Sequence, residues 1–226
     1  VPAVRLLQRV GLKDFINLLK KCGLEHLSTD EKGLGLSLIL GGCGVTLEEL
    51  CRLFSVFANR GQLFKPRYLS NEEYPKTGMR ILSEESAFLI SDILSKNERP
   101  DYSNLELLST SGSRFAWKTG TSYGKRDAWA IGYNPRFTIG VWIGNFDGKG
   151  SPHLSGAEMA VPLLTELFNS IDTKQNKKWF SIPENLAKRQ ICSETGLIPS
   201  ENCNSIISDY YIRNISTNKI CDLDKE

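Results

Sequence analysis

Residues 117–147 read Trp117-Lys118-Thr119-Gly120-Thr121-Ser122-Tyr123-Gly124-Lys125-Arg126-Asp127-Ala128-Trp129-Ala130-Ile131-Gly132-Tyr133-Asn134-Pro135-Arg136-Phe137-Thr138-Ile139-Gly140-Val141-Trp142-Ile143-Gly144-Asn145-Phe146-Asp147. Their apolar residues recur with a period of two, the signature of strands. Three strands are expected, at 115–121, 127–133 and 137–144, with the last two closed into an antiparallel hairpin through Asn134-Pro135-Arg136. In the third strand Phe137, Ile139, Val141 and Ile143 share one face, while Thr138, Gly140, Trp142 and Gly144 share the other. In the second, Trp129, Ile131 and Tyr133 oppose Ala128, Ala130 and Gly132. Small residues on a sheet face let a helix backbone come close. The candidate helix is 156–171, with Met159, Leu163, Leu164, Leu167 and Phe168, and with Pro162 restricted to its first turn or to a kink.

Upstream of the sheet the apolar spacing becomes helical. Thr46-x-x-Glu49 forms a capping box ahead of Leu47, Leu50, Cys51, Phe54, Phe57 and Ala58, so a helix runs from 46 to Gly61. Ser83 is the expected N-cap of a second, carrying Ala87, Phe88, Ile90 and Leu94 and ending near Asn97. Residues 2–27 read as two short helices broken at Gly11 and ended by Gly23. The stretch from Gly33 to Gly44 is too glycine-rich for a helix and too apolar for a linker, which predicts a buried, closely packed loop. Pro66, Pro75 and Gly78 make 62–82 an extended segment with a short strand at 63–69. The fold class is therefore α+β, an antiparallel sheet flanked by helices on both faces, over residues 1–172. A polar linker at 173–188 and the start of a small β module at 189–226, with β-prone patches such as Tyr210-Tyr211-Ile212, complete the chain.

With 28 Lys and Arg against 26 Asp and Glu, the formal charge of +2 argues against a nucleic-acid partner held by overall basic charge. At 24% charged and 40% apolar residues over a length of 226, the chain is globular and long enough to bury a core. The longest uncharged run, Gly33 to Leu47, falls short of the ~18 apolar residues of a membrane helix, so no membrane segment is expected. The six Cys lack the close CxxC pairing of metal and redox motifs, and neither a metal nor a cofactor is expected. Cys22, Cys43 and Cys51 read as small core residues. Cys192, Cys203 and Cys221 lie in the polar tail, where a disulfide would help, and this points to an oxidising compartment. The first residue is Val1, not Met, and Val1-Pro2-Ala3-Val4-Arg5-Leu6-Leu7 already reads as helix, so a preceding segment is expected to have been removed.

Chemistry is concentrated in Trp117-Lys118-Thr119-Gly120-Thr121-Ser122. A Lys-Thr-Gly on a strand beside a cleft is the third motif of serine penicillin-recognising enzymes. Lys118 supplies positive charge, Thr119 and Thr121 offer hydroxyl donors to a carboxylate, and Gly120 removes the side chain that would block a ligand lying along the strand. The Thr121 N–H can serve as half of an oxyanion hole, and Ser122 adjoins the cleft. Three-residue matches also arise by chance. Lys76-Thr77-Gly78 is such a match, in a proline-flanked loop, and reads as a turn with a solvated lysine. A phosphate loop is disfavoured: Gly112 and Thr119 are placed for it, but the indole of Trp117 stands where that motif has glycine.

Beyond the tripeptide, the whole string from Trp117 to Asp147 resembles the transpeptidase domain of class A penicillin-binding proteins. Leu38-x-Leu40-Gly41-Gly42-Cys43-Gly44-Val45-Thr46-Leu47-Glu48-Glu49-Leu50 narrows the resemblance to the penicillin-binding protein 1C type. With Val1 to Leu7 the likeness covers residues 1 to about 171, and the tail from Arg189 to Cys221 is similar to the start of that family's C-terminal extension. The resemblance implies an enzyme that cross-links peptidoglycan. A serine attacks the D-alanyl-D-alanine end of a stem peptide, the acyl group passes to an amine of a neighbouring peptide, and β-lactams acylate the same serine. Its partners are stem peptides and β-lactams, and its site is the periplasmic face of the inner membrane, with the anchor upstream.

The family also needs a Ser-x-x-Lys nucleophile motif and a Ser-x-Asn. The first pattern occurs at Ser122–Lys125 and Ser216–Lys219, the second at Ser95–Asn97, Ser200–Asn202 and Ser216–Asn218, and all five read as chance. The nucleophile is therefore expected to be absent from the chain, which would be inert alone, lack the N-terminal part of its domain, and expose apolar surface around Leu36–Leu40. His26 and His153 read as surface residues, and Trp129 and Trp142 as packing. Arg126 and Asp127 pair with each other or border the cleft, and Tyr123 lies beside it. The competing readings are a D,D-carboxypeptidase or β-lactamase-like hydrolase, in which water accepts the acyl group, and a non-catalytic binding or scaffold module of the cell envelope.

Overall fold

A computed structural model describes residues 2–24, 27, 35–96, 113–172 and 178–222. His26, Gly33, Leu34, Asn97, Gly112 and residues 173–177 of the expected linker lie outside them. The helices are α1 (Pro2–Val10), α2 (Leu12–Lys21), α3 (Leu47–Ala58), α4 (Glu84–Ser95) and α5 (Val161–Ile171). The strands are β1 (Gln62–Leu63), β2 (Met79–Arg80), β3 (Ala116–Thr121), β4 (Asp127–Tyr133), β5 (Thr138–Gly144), β6 (Leu186–Cys192) and β7 (Ile206–Ile212). The chain divides into two compact units, Val1–Trp179 and Phe180–Glu226.

In the first unit β3, β4 and β5 form an antiparallel sheet in that order. The register pairs Trp117 with Gly132, Thr119 with Ala130, and Trp129 with Trp142. Asn134 fixes the β4–β5 turn: its side-chain oxygen accepts from the N–H groups of Arg136 (2.8 Å) and Phe137 (2.9 Å), and its amide donates to Asp172 (2.7 Å). That satisfies a group only 3% exposed. Arg136 also pairs with Asp172, tying the hairpin to the end of α5.

Helices cover both faces, and glycines set how closely. At Gly132 an added Cβ would lie 2.8 Å from Phe168 and 3.0 Å from Leu164 of α5; at Gly140 it would lie 2.5 Å from Cys51 and 2.7 Å from Leu47 of α3. On the α5 face Phe115, Trp117, Ala130, Val141, Val161, Leu164 and Phe168 form one core, with Phe115 and Phe168 stacked at 4.3 Å between centroids. Burying a side chain such as Phe168 stabilises by about 2–3 kcal/mol. On the other face Tyr133 packs against Phe54 and Phe57 of α3, and its hydroxyl meets Ser91 of α4 at 3.0 Å. Around α2 and α3 a second core gathers Ile16, Leu19, Cys22, Leu24, Leu38, Val56 and Leu63.

Helix starts follow the sequence. Thr46 and Glu49 complete the reciprocal capping box, and Ser83 accepts from the Ser86 N–H. Residues 156–160 form a wide π turn before α5, which places Pro162 in the first α-helical turn, where its missing N–H costs nothing.

Two expectations fail. The described part of the glycine-rich stretch, residues 35–44, is not buried: it makes a short 3-10 turn at Leu36–Leu40 in which only Leu38 enters the core, while Leu40 is 63% exposed. Backbone amides in so irregular a segment need water, which keeps it at the surface. The strand at 63–69 is cut to Gln62–Leu63, paired with Met79–Arg80, because Pro66 has no N–H to continue a ladder.

The second unit is built on β6 and β7, paired antiparallel from Leu186–Ile212 to Cys192–Ile206. β6 begins inside the stretch read as linker. Ile198 and Ile220 make a parallel bridge, and the Cys221 N–H donates to Ile198 (2.7 Å). Among the described residues no helix is long and apolar enough to cross a membrane.

Candidate functional site: the outer edge of strand β3

As the first strand in the order β3-β4-β5, β3 has an outer edge with no neighbouring strand among the described residues. The Ser122 N–H donates to Asp127 (3.0 Å) in the inward-facing register. Alternation along an antiparallel strand then turns the N–H and C=O groups of Thr119 and Thr121 outward. Lys118 is exposed, and its ammonium donates to that outward Thr119 carbonyl at 2.6 Å.

The pleat divides the motif's side chains. Thr119 and Thr121 lie on the α5 face, opposite Ala130 and Ala128, whereas Lys118 and Gly120 lie on the α3 face, opposite Ile131 and Trp129. The Thr121 Oγ1 also accepts from the Gly156 N–H (3.0 Å), anchoring the π turn to β3. The Ser122 hydroxyl accepts from the Asp127 N–H (2.8 Å) and so closes the β3–β4 turn.

Gly120 is the informative residue. At Gly132, Gly140 and Gly156 an added Cβ would clash at 2.5–2.8 Å, but at Gly120 it would only touch the Trp129 Cβ at 3.6 Å. Internal packing therefore does not require a glycine at this position. Beyond it the same face continues as Trp129, Trp142 and Phe146, with centroids 6.2 and 5.6 Å apart and Phe146 fully exposed. The Trp142 indole donates to Asp127 Oδ1 (3.0 Å), so Asp127 is held by this tryptophan. The sequence reading took both tryptophans as packing; their alternation with Gly120 and Lys118 was the available signal for an aromatic surface beside the motif.

The other motif copies fall elsewhere. Ser122–Lys125 spans a tight turn with Gly124 and Lys125 at positive φ, and the Lys125 ammonium donates to Pro152 O (2.6 Å). Ser216 accepts from the Ile212 N–H in the second unit, and Asn218 from Arg189. Lys76 and His153 are exposed in loops. In the second unit the sulfurs of Cys192, Cys203 and Cys221 all lie within 4.8 Å of one another. Hydrogen bonding to Thr195, and then to Glu194, holds the Cys192 pKa down at about 7.

A helix-covered antiparallel sheet with Lys-Thr-Gly-Thr on its edge strand fits the transpeptidase domain of penicillin-binding proteins, and the chain belongs to that family. The penicillin binding protein transpeptidase domain matches residues 1–159, and the C-terminal domain of penicillin-binding protein 1A matches 182–226. Penicillin-binding protein 1C of Escherichia coli is 38% identical over 75% of this chain, and penicillin-binding protein 1A of Clostridium tetani 26% identical over 98%. The chain spans 21% and 31% of those proteins' lengths. Penicillin-binding protein 1A from Haemophilus influenzae superposes with a TM-score of 0.81 at 19% identity, over 97% of this chain and 39% of that one, a likeness of fold.

Proposed function

We propose that this chain supplies the substrate-binding strand of a peptidoglycan D,D-transpeptidase, the parent being a bifunctional class A enzyme at the periplasmic face of the inner membrane. The supporting observation is the open edge of β3, where outward N–H and C=O groups alternate beside an exposed ammonium and a glycine that internal packing does not demand. An extended peptide adds to such an edge through main-chain hydrogen bonds. Lys118 supplies charge for its terminal carboxylate, Thr119 and Thr121 supply hydroxyl donors, and Ser122 borders them. The outward Thr121 N–H donates to the oxygen of the carbonyl under attack. The attacking serine and its lysine base come from another part of the parent protein, and β-lactams occupy the same edge.

Fluorescent penicillin tests both halves of the reading. The parent protein should label covalently, and Lys118→Ala in it should slow acylation by roughly 100-fold with an unchanged melting temperature. This chain alone should not label. Covalent label on the 226-residue chain, or acylation indifferent to Lys118→Ala, overturns the proposal.

A further inference from the structure

We propose that Cys192, Cys203 and Cys221 form a zinc site that holds the second unit together. Three residues spread over the last part of the sequence bring their sulfurs within 4.8 Å of one another. Tetrahedral zinc with bonds of about 2.3 Å needs sulfurs about 3.8 Å apart, a small contraction from this arrangement. The backbone around them is already fixed. The Cys192 N–H donates to Leu197 O and the Gly196 N–H to Cys192 O, both at 2.8 Å, closing a tight loop, and Cys221 is fastened to Ile198 of the same loop.

The unit's composition supplies the second argument. Among its described residues the buried apolar side chains are Leu186, Cys192 and Cys221, while Ile182, Ile206, Ile207, Ile215 and Ile220 are exposed. So small a module, with so little core, needs a covalent or metal staple. A disulfide would join two of the three sulfurs and strand the third, whereas a metal uses all of them. Thiolates select a soft ion such as Zn2+ over Mg2+ or Ca2+. On binding, each sulfur replaces a water of the hydrated ion and its proton passes to solvent. The fourth position is taken by water.

The test uses the intact 226-residue chain, purified under reducing conditions with Zn2+. Elemental analysis should find about one zinc per chain, falling at least about tenfold in Cys192→Ser and Cys221→Ser and unchanged in Cys22→Ser and Cys51→Ser. Should the serine variants fail to fold, the unaltered chain loaded with Co2+ decides: tetrahedral thiolate ligation gives intense visible bands that one equivalent of Zn2+ abolishes. A chain that retains no zinc and shows no cobalt bands overturns the site. So does mass spectrometry of freshly isolated chain showing two of these three cysteines joined as a disulfide.

Discussion

Tyr133 places a phenol hydroxyl inside the first unit. It is fully buried, and since Ser91 donates to the Ala87 carbonyl (2.7 Å), the tyrosine hydroxyl donates to Ser91. Burial pushes its pKa up to about 12. The folded state thus binds this proton more tightly than the unfolded chain. The associated stability is complete below pH 10 and is lost as pH rises through 12, an alkaline penalty of about 2–3 kcal/mol that Tyr133→Phe should lack. Denaturant midpoints of the two proteins measured across that window should converge or cross; parallel curves would refute the assignment. The glycines give a paired prediction. Gly140→Ala should destabilise by about 1–3 kcal/mol through collision with Cys51 and Leu47, whereas Gly120→Ala should leave the denaturation midpoint nearly unchanged while weakening penicillin acylation of the parent protein.

Elements were legible wherever one signal governed them. Period two gave β3 to β5, because each strand has helices or solvent consistently on a given side, and the capping residues Thr46 and Ser83 marked α3 and α4 because their hydroxyls bond only within the first turn of the helix they start. The stretch ending at Gly44 was misread because glycine and leucine together fit a packed loop and a surface turn equally well, and only long-range packing around Leu38 decides. Within the candidate site the motif could be read, but its division by the pleat followed from alternation that the motif reading set aside. The tail thiols could be grouped as candidate disulfide partners, but the convergence of all three was not legible, since spacing along the chain says nothing of residues joined by a bridge such as Ile198–Ile220. At this scale the β4–β5 turn is the sensitive point. Asn134→Ala removes two acceptor contacts and one donor contact, so a loss of about 2–3 kcal/mol in thermal or chemical unfolding is expected. Thr46→Ala, at an exposed cap, should cost about 1 kcal/mol.

For the whole molecule, two units with separate interiors imply two unfolding events. Calorimetry should resolve both: Phe168→Ala, which opens a cavity worth about 3–5 kcal/mol, should lower one transition and leave the other in place. A single transition shifted as a block would show that the units melt cooperatively.

The outer side of β3, which has no neighbouring strand among the described residues, has a consequence for handling the chain in solution. Outward main-chain groups such as the Thr121 N–H can invite a second copy to zip on, the hazard every sheet margin carries. Lys118 stands guard there as a gatekeeper, since two such strands meeting head to tail bring their ammonium groups together. Concentrated salt weakens that repulsion, so light scattering at high ionic strength should reveal dimers that Lys118→Glu, with the same like-charge guard, also resists in dilute buffer.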